Sequence, residues 1–198
     1  ELNKRRLMRN IESFMLEESK YVFPEVNIPK DKVGVFWNHP NHKNNIEIRT
    51  KYMIDNADKA LQKVVSKNDS EFDNFIKKDP LGTIFVIAPW NYPYNTSVNS
   101  IVPSLLAGNC VILKHSSQTP LCAEQLLKAS EKAGLPKNVF QILHLDHSST
   151  SKVIADSRID HVLFTGSVSG GVEVKRAIGT RFIGAGLELG GKDPAYVM

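Results

Sequence analysis

The hydrophobic pattern of the chain changes near residue 80. From residue 82 onward, short apolar runs rich in β-branched residues alternate with longer stretches in which apolar residues recur every three or four positions. Runs of the first kind are typical of strands buried on both faces, and stretches of the second kind are typical of amphipathic helices. The alternation predicts a doubly wound α/β domain with a mainly parallel sheet.

The start and stop residues of one predicted helix support this interpretation. The segment 119–133 has Pro120 in its first turn and "AGLP" directly after its end, as helices commonly do. The other predicted helices lie near 96–107, 148–157 and 168–178. The predicted strands are "TIFVIA" (83–88), "CVILK" (110–114), "VFQIL" (139–143), "HVLFTG" (161–166), "AGLEL" (185–189) and "PAYVM" (194–198).

Residues 1–79 are more polar and predict a helical segment that packs on the domain formed by residues 80–198. The proline- and asparagine-rich segment 24–45 interrupts the helical pattern and predicts a loop with a short extended piece. The apolar positions with helical spacing are Leu7, Ile11, Phe14 and Met15 before this loop, and Met53, Ala57, Ala60, Leu61 and Val64 after it.

Composition and charge argue against two classes of protein. The chain is 41% hydrophobic and 23% charged, as globular proteins are, and no apolar run approaches the ~18–20 residues that span a bilayer. The net charge is +4, but lysine and arginine are scattered, whereas nucleic-acid-binding modules concentrate them on one stripe. We therefore expect a protein that binds neither a nucleic acid nor a membrane, and the two cysteines without a disulfide framework favour a cytoplasmic or other reducing compartment.

The cysteines and histidines do not form a metal-ligand pattern. Cys110 and Cys122 form neither a CxxC motif nor a disulfide framework, and we expect both thiols to be buried and unreactive. The close histidine pairs lack cysteine or carboxylate partners at ligand spacing, so we expect them in surface loops and predict no metal site. These pairs are His39 with His42 and His144 with His147.

Polar and glycine residues follow four of the predicted strands. In an open parallel sheet, ligands bind beyond the carboxyl ends of the strands, which share one edge. We therefore expect the residues at these strand exits to converge on a binding site. They are Asn91 in "PWNYP", Lys114, Gly166 with Ser167, and Glu188 before a glycine pair.

Taken singly, each of these residues has a functional and a structural interpretation. Ser167 could start a phosphate-binding helix or be its N-cap, and Lys114 could reach a ligand or solvent. Asn91 could stabilise an oxyanion or satisfy a turn. Glu188 could be a partly buried general base or a strand residue that faces solvent.

The order of four motifs resembles the cofactor-binding domain of aldehyde dehydrogenases. The resemblance covers residues 80–198, through "APWNYP", "PSLLAGNCVILKHSSQTP", "DHVLFTGSVSGG" and "LELGGKDP". It implies a Rossmann-like fold and the oxidation of an aldehyde to a carboxylic acid with NAD or NADP. In that family a cysteine thiolate attacks the aldehyde, hydride leaves the thiohemiacetal, and water hydrolyses the resulting thioester.

The resemblance also implies a role for each matching residue. Asn91 matches the family's oxyanion-binding asparagine, and Glu188 matches the glutamate that activates water for deacylation. Lys114 matches the lysine that hydrogen-bonds the adenosine ribose, while Gly166 and Ser167 match residues at the pyrophosphate. Further positions that match the cofactor cleft are Pro89, Trp90, Phe164, Thr165, Leu189 and Gly190.

Two departures from the family pattern change these expectations. Many NAD-specific members carry glutamate three residues after the ribose lysine; here Ser117 removes the repulsion of a 2′-phosphate and allows NADP. The family's nucleophilic cysteine lies beyond "ELGGK", so the isolated chain is expected to be an inactive fragment of a homo-oligomeric enzyme.

"LKHS" and "GSVSGG" are similar to the succinate-semialdehyde dehydrogenase branch. The alternative is a truncated, non-catalytic member that binds a nucleotide or a partner protein.

Overall fold

The structure is a computed structural model that describes residues 40–66, 72–179 and 181–191. Three predictions lie outside the described residues: the helical spacing over 7–15, the loop position of His39, and the strand over 194–198. The first part of the segment 24–45 lies outside them as well.

A helix and a small ribbon precede the central sheet. Helix α1 (Pro40–Leu61) is followed by strands β1 (Val64–Val65) and β2 (Phe75–Ile76), which pair antiparallel. The loop prediction is wrong for residues 40–45, because proline is well suited to the first turn of a helix, where its missing N–H is not needed. The helical prediction is wrong for Val64, which lies in β1 and pairs with Ile76.

Five parallel strands form the central sheet, in the order β5-β4-β3-β6-β7. The predicted parallel sheet is therefore confirmed, and the predicted strand ends within the described residues differ from the observed ends by at most one residue. The strands are β3 (Thr83–Ile87), β4 (Cys110–Lys114), β5 (Phe140–Ile142), β6 (His161–Gly166) and β7 (Gly184–Leu189).

Four helices connect these strands, and proline starts two of them. Helix α2 (Pro93–Leu106) begins earlier than predicted, because Pro93 takes its first position. Helix α3 (Pro120–Lys132) has the predicted Pro120 start, and Gly134 with φ +73° follows its end, where a left-handed residue is common. Helices α4 (His147–Ala155) and α5 (Val168–Ile178) complete the domain.

Apolar side chains bury both faces of the sheet. In β3, Ile84 and Val86 belong to a cluster shared with α2 and α3, whereas Phe85 and Ile87 pack toward α4 and α5. This alternation follows from the two-residue period of a strand. A strand covered on both faces is apolar at nearly every position, which explains the continuous runs of the sequence.

Helix α1 packs on the domain through α2. Ala57 is buried in a cluster with Val98, Val102 and Leu106 of α2. The division of the chain into segments 1–79 and 80–198 remains a prediction.

The sheet register aligns the strand exits. Ile87 of β3 pairs with Lys114 on one side and with Phe164 on the other, and Thr165 pairs with Glu188. The chain runs outward from β3 to β5 and then returns to β6, so the strand order reverses between β3 and β6. A crevice at such a switch point is the usual ligand site of an open α/β sheet.

Candidate active site

A cavity of about 1210 Å³ opens at this edge of the sheet. The exits of β3, β4, β6 and β7 line it, together with parts of α4 and α5. The structure brings together every site residue proposed from the sequence, while their chemical roles remain predictions. These residues are Pro89, Trp90, Asn91, Lys114, Ser117, Phe164, Thr165, Gly166, Ser167, Glu188, Leu189 and Gly190.

The exit of β3 presents Asn91 beside a strained turn. Tyr92 follows it with φ 48° and ψ 48°, a left-handed conformation that costs a non-glycine residue of order 1–3 kcal/mol. Pro93 then starts α2. Asn91 is exposed at the cavity, and within the described residues its carboxamide makes no hydrogen bond.

The exit of β4 places a buried ammonium group at the cavity. Lys114 is only 8% exposed, and it lines the cavity rather than the outer surface of the protein. The reason is that β4 lies inside the sheet and helices cover both faces. No carboxylate of the described residues pairs with Lys114, and burial lowers its pKa. A buried cation of this kind favours a ligand that offers oxygen acceptors, such as hydroxyl or phosphate groups.

The exit of β6 leads directly into the start of α5. The Gly170 N–H donates to the Ser167 hydroxyl at 3.1 Å, which confirms Ser167 as the N-cap of α5. A Cβ atom on Gly166 would lie 2.6 Å from the Phe164 ring, so a larger residue here would force that ring to shift. The first turn of α5 contains no acidic residue, so its positive end and remaining free N–H groups suit an anion.

The exit of β7 places Glu188 at the rim of the cavity. The Gly190 N–H donates to the Gly166 carbonyl at 3.0 Å, which holds the end of β7 against β6. Glu188 is exposed within the part of the chain that the structure describes, as in the alternative in which it faces solvent, and it is not partly buried there. The reason is that, among the described strands, β7 is the outermost and has a neighbour on one side only.

Sequence reasoning missed the helical wall of the cavity. His147 was expected in a surface loop but is the first residue of α4, whose N-cap Asp146 accepts a hydrogen bond from Ser149 N–H at 2.7 Å. The predicted helix 148–157 begins with several hydroxyl residues shortly after β5, and this pattern could have indicated that its start lines the site. The missed residues on the walls are Ile87, Ala88, Ser116, Gln118, His147, Ser148, Thr150, Ser151, Ile154, Ser169, Gly170, Glu173 and Val174.

Neither cysteine lies at the cavity. Cys122 is buried, which raises the pKa of its thiol, as expected for an unreactive group. Cys110 is exposed, so its predicted burial is wrong, because it is the first residue of β4 at the opposite edge of the sheet.

The other described histidines of the two close pairs lie away from the cavity. His42 lies within α1 rather than in a loop, while His144 Nε2 lies 3.4 Å from a carboxylate oxygen of Glu124. Within the described ranges, no group of three or more metal-ligating side chains is present. In the same ranges, no helix is long and apolar enough to cross a membrane.

Comparisons with known proteins agree with this geometry. The sequence model of the aldehyde dehydrogenase family matches residues 41–198. A Mycobacterium tuberculosis H37Rv protein, provisionally named an NADP(+) succinate-semialdehyde dehydrogenase, is 42% identical over 118 residues, or 60% of this chain and 23% of that protein. The Escherichia coli K12 NAD(P)+ succinate semialdehyde dehydrogenase Sad is 40% identical over 123 residues, or 62% of this chain and 27% of that protein.

The similarity extends to solved structures. Succinic semialdehyde dehydrogenase from Streptococcus pyogenes, crystallised with NADP+, superposes with a TM-score of 0.83 at 25% identity. The superposition covers 96% of this chain and 41% of that structure. The matches to the two curated relatives span about a quarter of the length of each.

Proposed function

The chain belongs to the aldehyde dehydrogenase family, and we propose that it forms the cofactor-binding part of an enzyme that oxidises an aldehyde with NAD(P). One observation carries the proposal: a single cavity joins Asn91, Glu188, Lys114 and the start of α5. Succinate semialdehyde is the proposed substrate, since the relatives described above are named for it.

The residues of the cavity fit a nicotinamide dinucleotide. The buried Lys114 ammonium would donate to the ribose hydroxyls, and the start of α5 would hold the pyrophosphate through backbone N–H groups. The exposed Trp90 ring offers an apolar surface beside them. NAD(P), when bound, supplies the hydride acceptor of the reaction.

The wall near Lys114 also suits the extra phosphate of NADP. Ser117 lines the cavity and is exposed, and it carries no charge that would repel a 2′-phosphate. We therefore propose that the enzyme accepts NADP as well as NAD. The Streptococcus relative that was crystallised with NADP+ supports this proposal.

Asn91 is the proposed oxyanion donor. When a thiolate adds to the aldehyde carbonyl, negative charge develops on the carbonyl oxygen, and a fixed amide N–H stabilises it. The Asn91 carboxamide has no competing hydrogen bond within the described residues. Since neither Cys110 nor Cys122 lines the cavity, we propose that the thiolate comes from a cysteine of the whole enzyme that is not among these 198 residues.

Glu188 is the proposed base for thioester hydrolysis. Its carboxylate takes a proton from a water molecule while the water oxygen attacks the thioester carbonyl. The carbon–sulfur bond then breaks, the carboxylic acid leaves, and the thiol is regenerated. The exposed position of Glu188 gives water direct access to it.

Replacing Glu188 in the whole enzyme tests the proposed function. Glu188→Gln should retain the first rapid formation of NAD(P)H, measured by stopped flow, because acylation does not need the base. Steady-state turnover should fall roughly 10²–10⁴-fold. The matched control is Glu131→Gln, which changes an exposed carboxylate of α3 away from the cavity and should leave both phases intact.

Two results would contradict this assignment in different ways. Full steady-state turnover in Glu188→Gln would refute the water-activating role of the glutamate. A wild-type enzyme that binds NADP+ but forms no NADPH with any aldehyde would favour the non-catalytic alternative.

A further inference from the structure

His115 is buried beside the active site without lining its cavity. It directly follows Lys114 and is 2% exposed. Its Nε2 lies 3.2 Å from the Pro93 carbonyl oxygen, and its Nδ1 lies 2.9 Å from the Thr119 hydroxyl. Since a carbonyl oxygen can only accept, Nε2 donates to Pro93 and Nδ1 accepts from Thr119. The ring therefore connects the start of α2 to the start of α3.

The surroundings keep this ring neutral. Burial lowers the pKa of His115; the hydrogen bond to Pro93 opposes this effect, and the positive charge of Lys114 adds to it. In the neutral ring one nitrogen donates and the other accepts, so the two observed bonds use both nitrogens in a single tautomer. The imidazole is thus a fixed link rather than a group free to exchange protons.

The Pro93 end of this link lies next to the proposed oxyanion donor. Pro93 is two residues from Asn91, and the strained Tyr92 lies between them. Strained conformations persist only where the surrounding contacts over-determine them. The Pro93 carbonyl also accepts from the Ser97 hydroxyl at 2.6 Å, within the same helix. The bond from His115 ties this helix start to the residue that follows strand β4, and the Ala88 N–H donates to the Lys114 carbonyl at 3.0 Å just before the turn.

We propose that His115 is a positioning residue for Asn91. By holding the Pro93 carbonyl, it fixes the turn that presents the Asn91 carboxamide to the cavity. This inference rests on the proposed function, because that function assigns Asn91 to the oxyanion. A displacement of about 1 Å in a group of this kind can cost roughly 10²-fold in rate.

Two substitutions separate the two bonds of the ring. In His115→Gln the amide nitrogen can occupy the place of Nε2 and donate to Pro93. In His115→Asn the shorter amide reaches only Thr119, so the Pro93 bond is lost. In the whole enzyme we expect His115→Gln to keep kcat within about threefold and His115→Asn to lose roughly 10–10²-fold. Calorimetry should show NADP+ dissociation constants within about threefold of wild type in both.

A double-mutant cycle with Asn91→Ala distinguishes positioning from general damage. If His115 acts through Asn91, His115→Asn should cost less than about threefold in kcat once Asn91 is alanine. The same full cost in that background would overturn the proposal, and so would equal losses in the glutamine and asparagine variants. Should His115→Asn fail to fold, Thr119→Val removes the hydroxyl that orients the ring and takes its place in the cycle.

Hydrogen exchange of the apo protein gives a readout that needs neither activity nor cofactor. Backbone amides of residues 91–92 and 94–97 should exchange at least about tenfold faster in His115→Asn than in His115→Gln, whereas amides of β6 should not differ. Equal exchange in the two variants would also overturn the proposal. An inactive wild-type enzyme would refute the proposed function alone, since the exchange comparison still tests whether His115 holds the turn.

Discussion

The two strand exits beside the switch point hold their site residues in different ways. At the exit of β6, Ser167 caps α5 by accepting a hydrogen bond from Gly170, three residues away. At the exit of β3, Asn91 precedes the left-handed Tyr92, and His115, the residue after β4, reaches this turn from the neighbouring exit. The first exit is therefore organised by its own sequence, and the second by a contact with the neighbouring exit.

The proposed ligands account for this difference. A phosphate accepts hydrogen bonds from several backbone N–H groups, so a capped helix start is sufficient to bind it. An oxyanion donor works only when one side-chain nitrogen lies at a set distance from the reacting atom. The exit of β3 therefore needs more restraint than its own residues supply.

The substitution Asn91→Ala should have the largest effect. It tests whether the exit of β3 supplies the oxyanion donor. Loss of one oxyanion donor should reduce kcat roughly 10²–10³-fold, while the dissociation constant of NADP+ changes less than about threefold. Steady-state kinetics and calorimetry on the whole enzyme measure the two quantities. A loss of kcat below about tenfold would instead favour a structural role for Asn91 in the turn.

The substitution Lys114→Met should have the next largest effect. It tests whether Lys114 binds the nucleotide. Loss of hydrogen bonds from a charged donor should weaken NADP+ binding roughly 10–150-fold, as measured by calorimetry. The apo protein should become more resistant to urea, because methionine fills the site without burying a charge. Lys128→Met, on an exposed lysine of α3, should change neither quantity. Unchanged NADP+ affinity in Lys114→Met would refute the proposed ribose contact.

The substitution Ser167→Ala tests whether the β6 exit is held locally. Removal of the N-cap should lower the free energy of unfolding by about 1 kcal/mol, whereas Ser167→Gly should lower it by only a few tenths. Urea unfolding measures both, and kcat should fall far less than in Asn91→Ala. Equal destabilisation by alanine and glycine would show that the hydroxyl does not act as a cap.

Acid should have the smallest effect, through His115 beside the exit of β3 and His161 at the far end of β6. Burial lowers the pKa of His115 and of His161 below the ordinary value of 6.5, so below this pH the unfolded chain binds more protons than the folded one. Their contribution to stability is complete above pH 6.5 and is lost as the pH falls below it. Urea unfolding at a series of pH values should show this decrease, and His115→Gln should flatten it. An unchanged slope in that variant would contradict the assignment.

The alternating pattern of the sequence was sufficient to predict the sheet and its connecting helices. Strands covered on both faces leave continuous apolar runs, and Pro120 marks a helix start in any context. The convergence of Asn91, Lys114 and Glu188 could also be predicted, since parallel strands place their carboxyl ends at one edge. The error at Pro40 arose because the proline- and asparagine-rich composition of the segment indicates a loop although proline also suits a helix start, and the error at Val64 arose because a two-residue strand leaves little pattern in the sequence.

Only the tertiary structure decided which site residues are buried and which strand exits contact each other. Lys114 is buried because β4 has a neighbouring strand on each side. Glu188 is exposed because β7 is the outermost of the described strands. The order of strands in a sheet does not follow from the pattern within any one strand. For the same reason, the bond from His115 to Pro93 exists only once β3 and β4 pair side by side, because 22 residues separate the two partners along the chain.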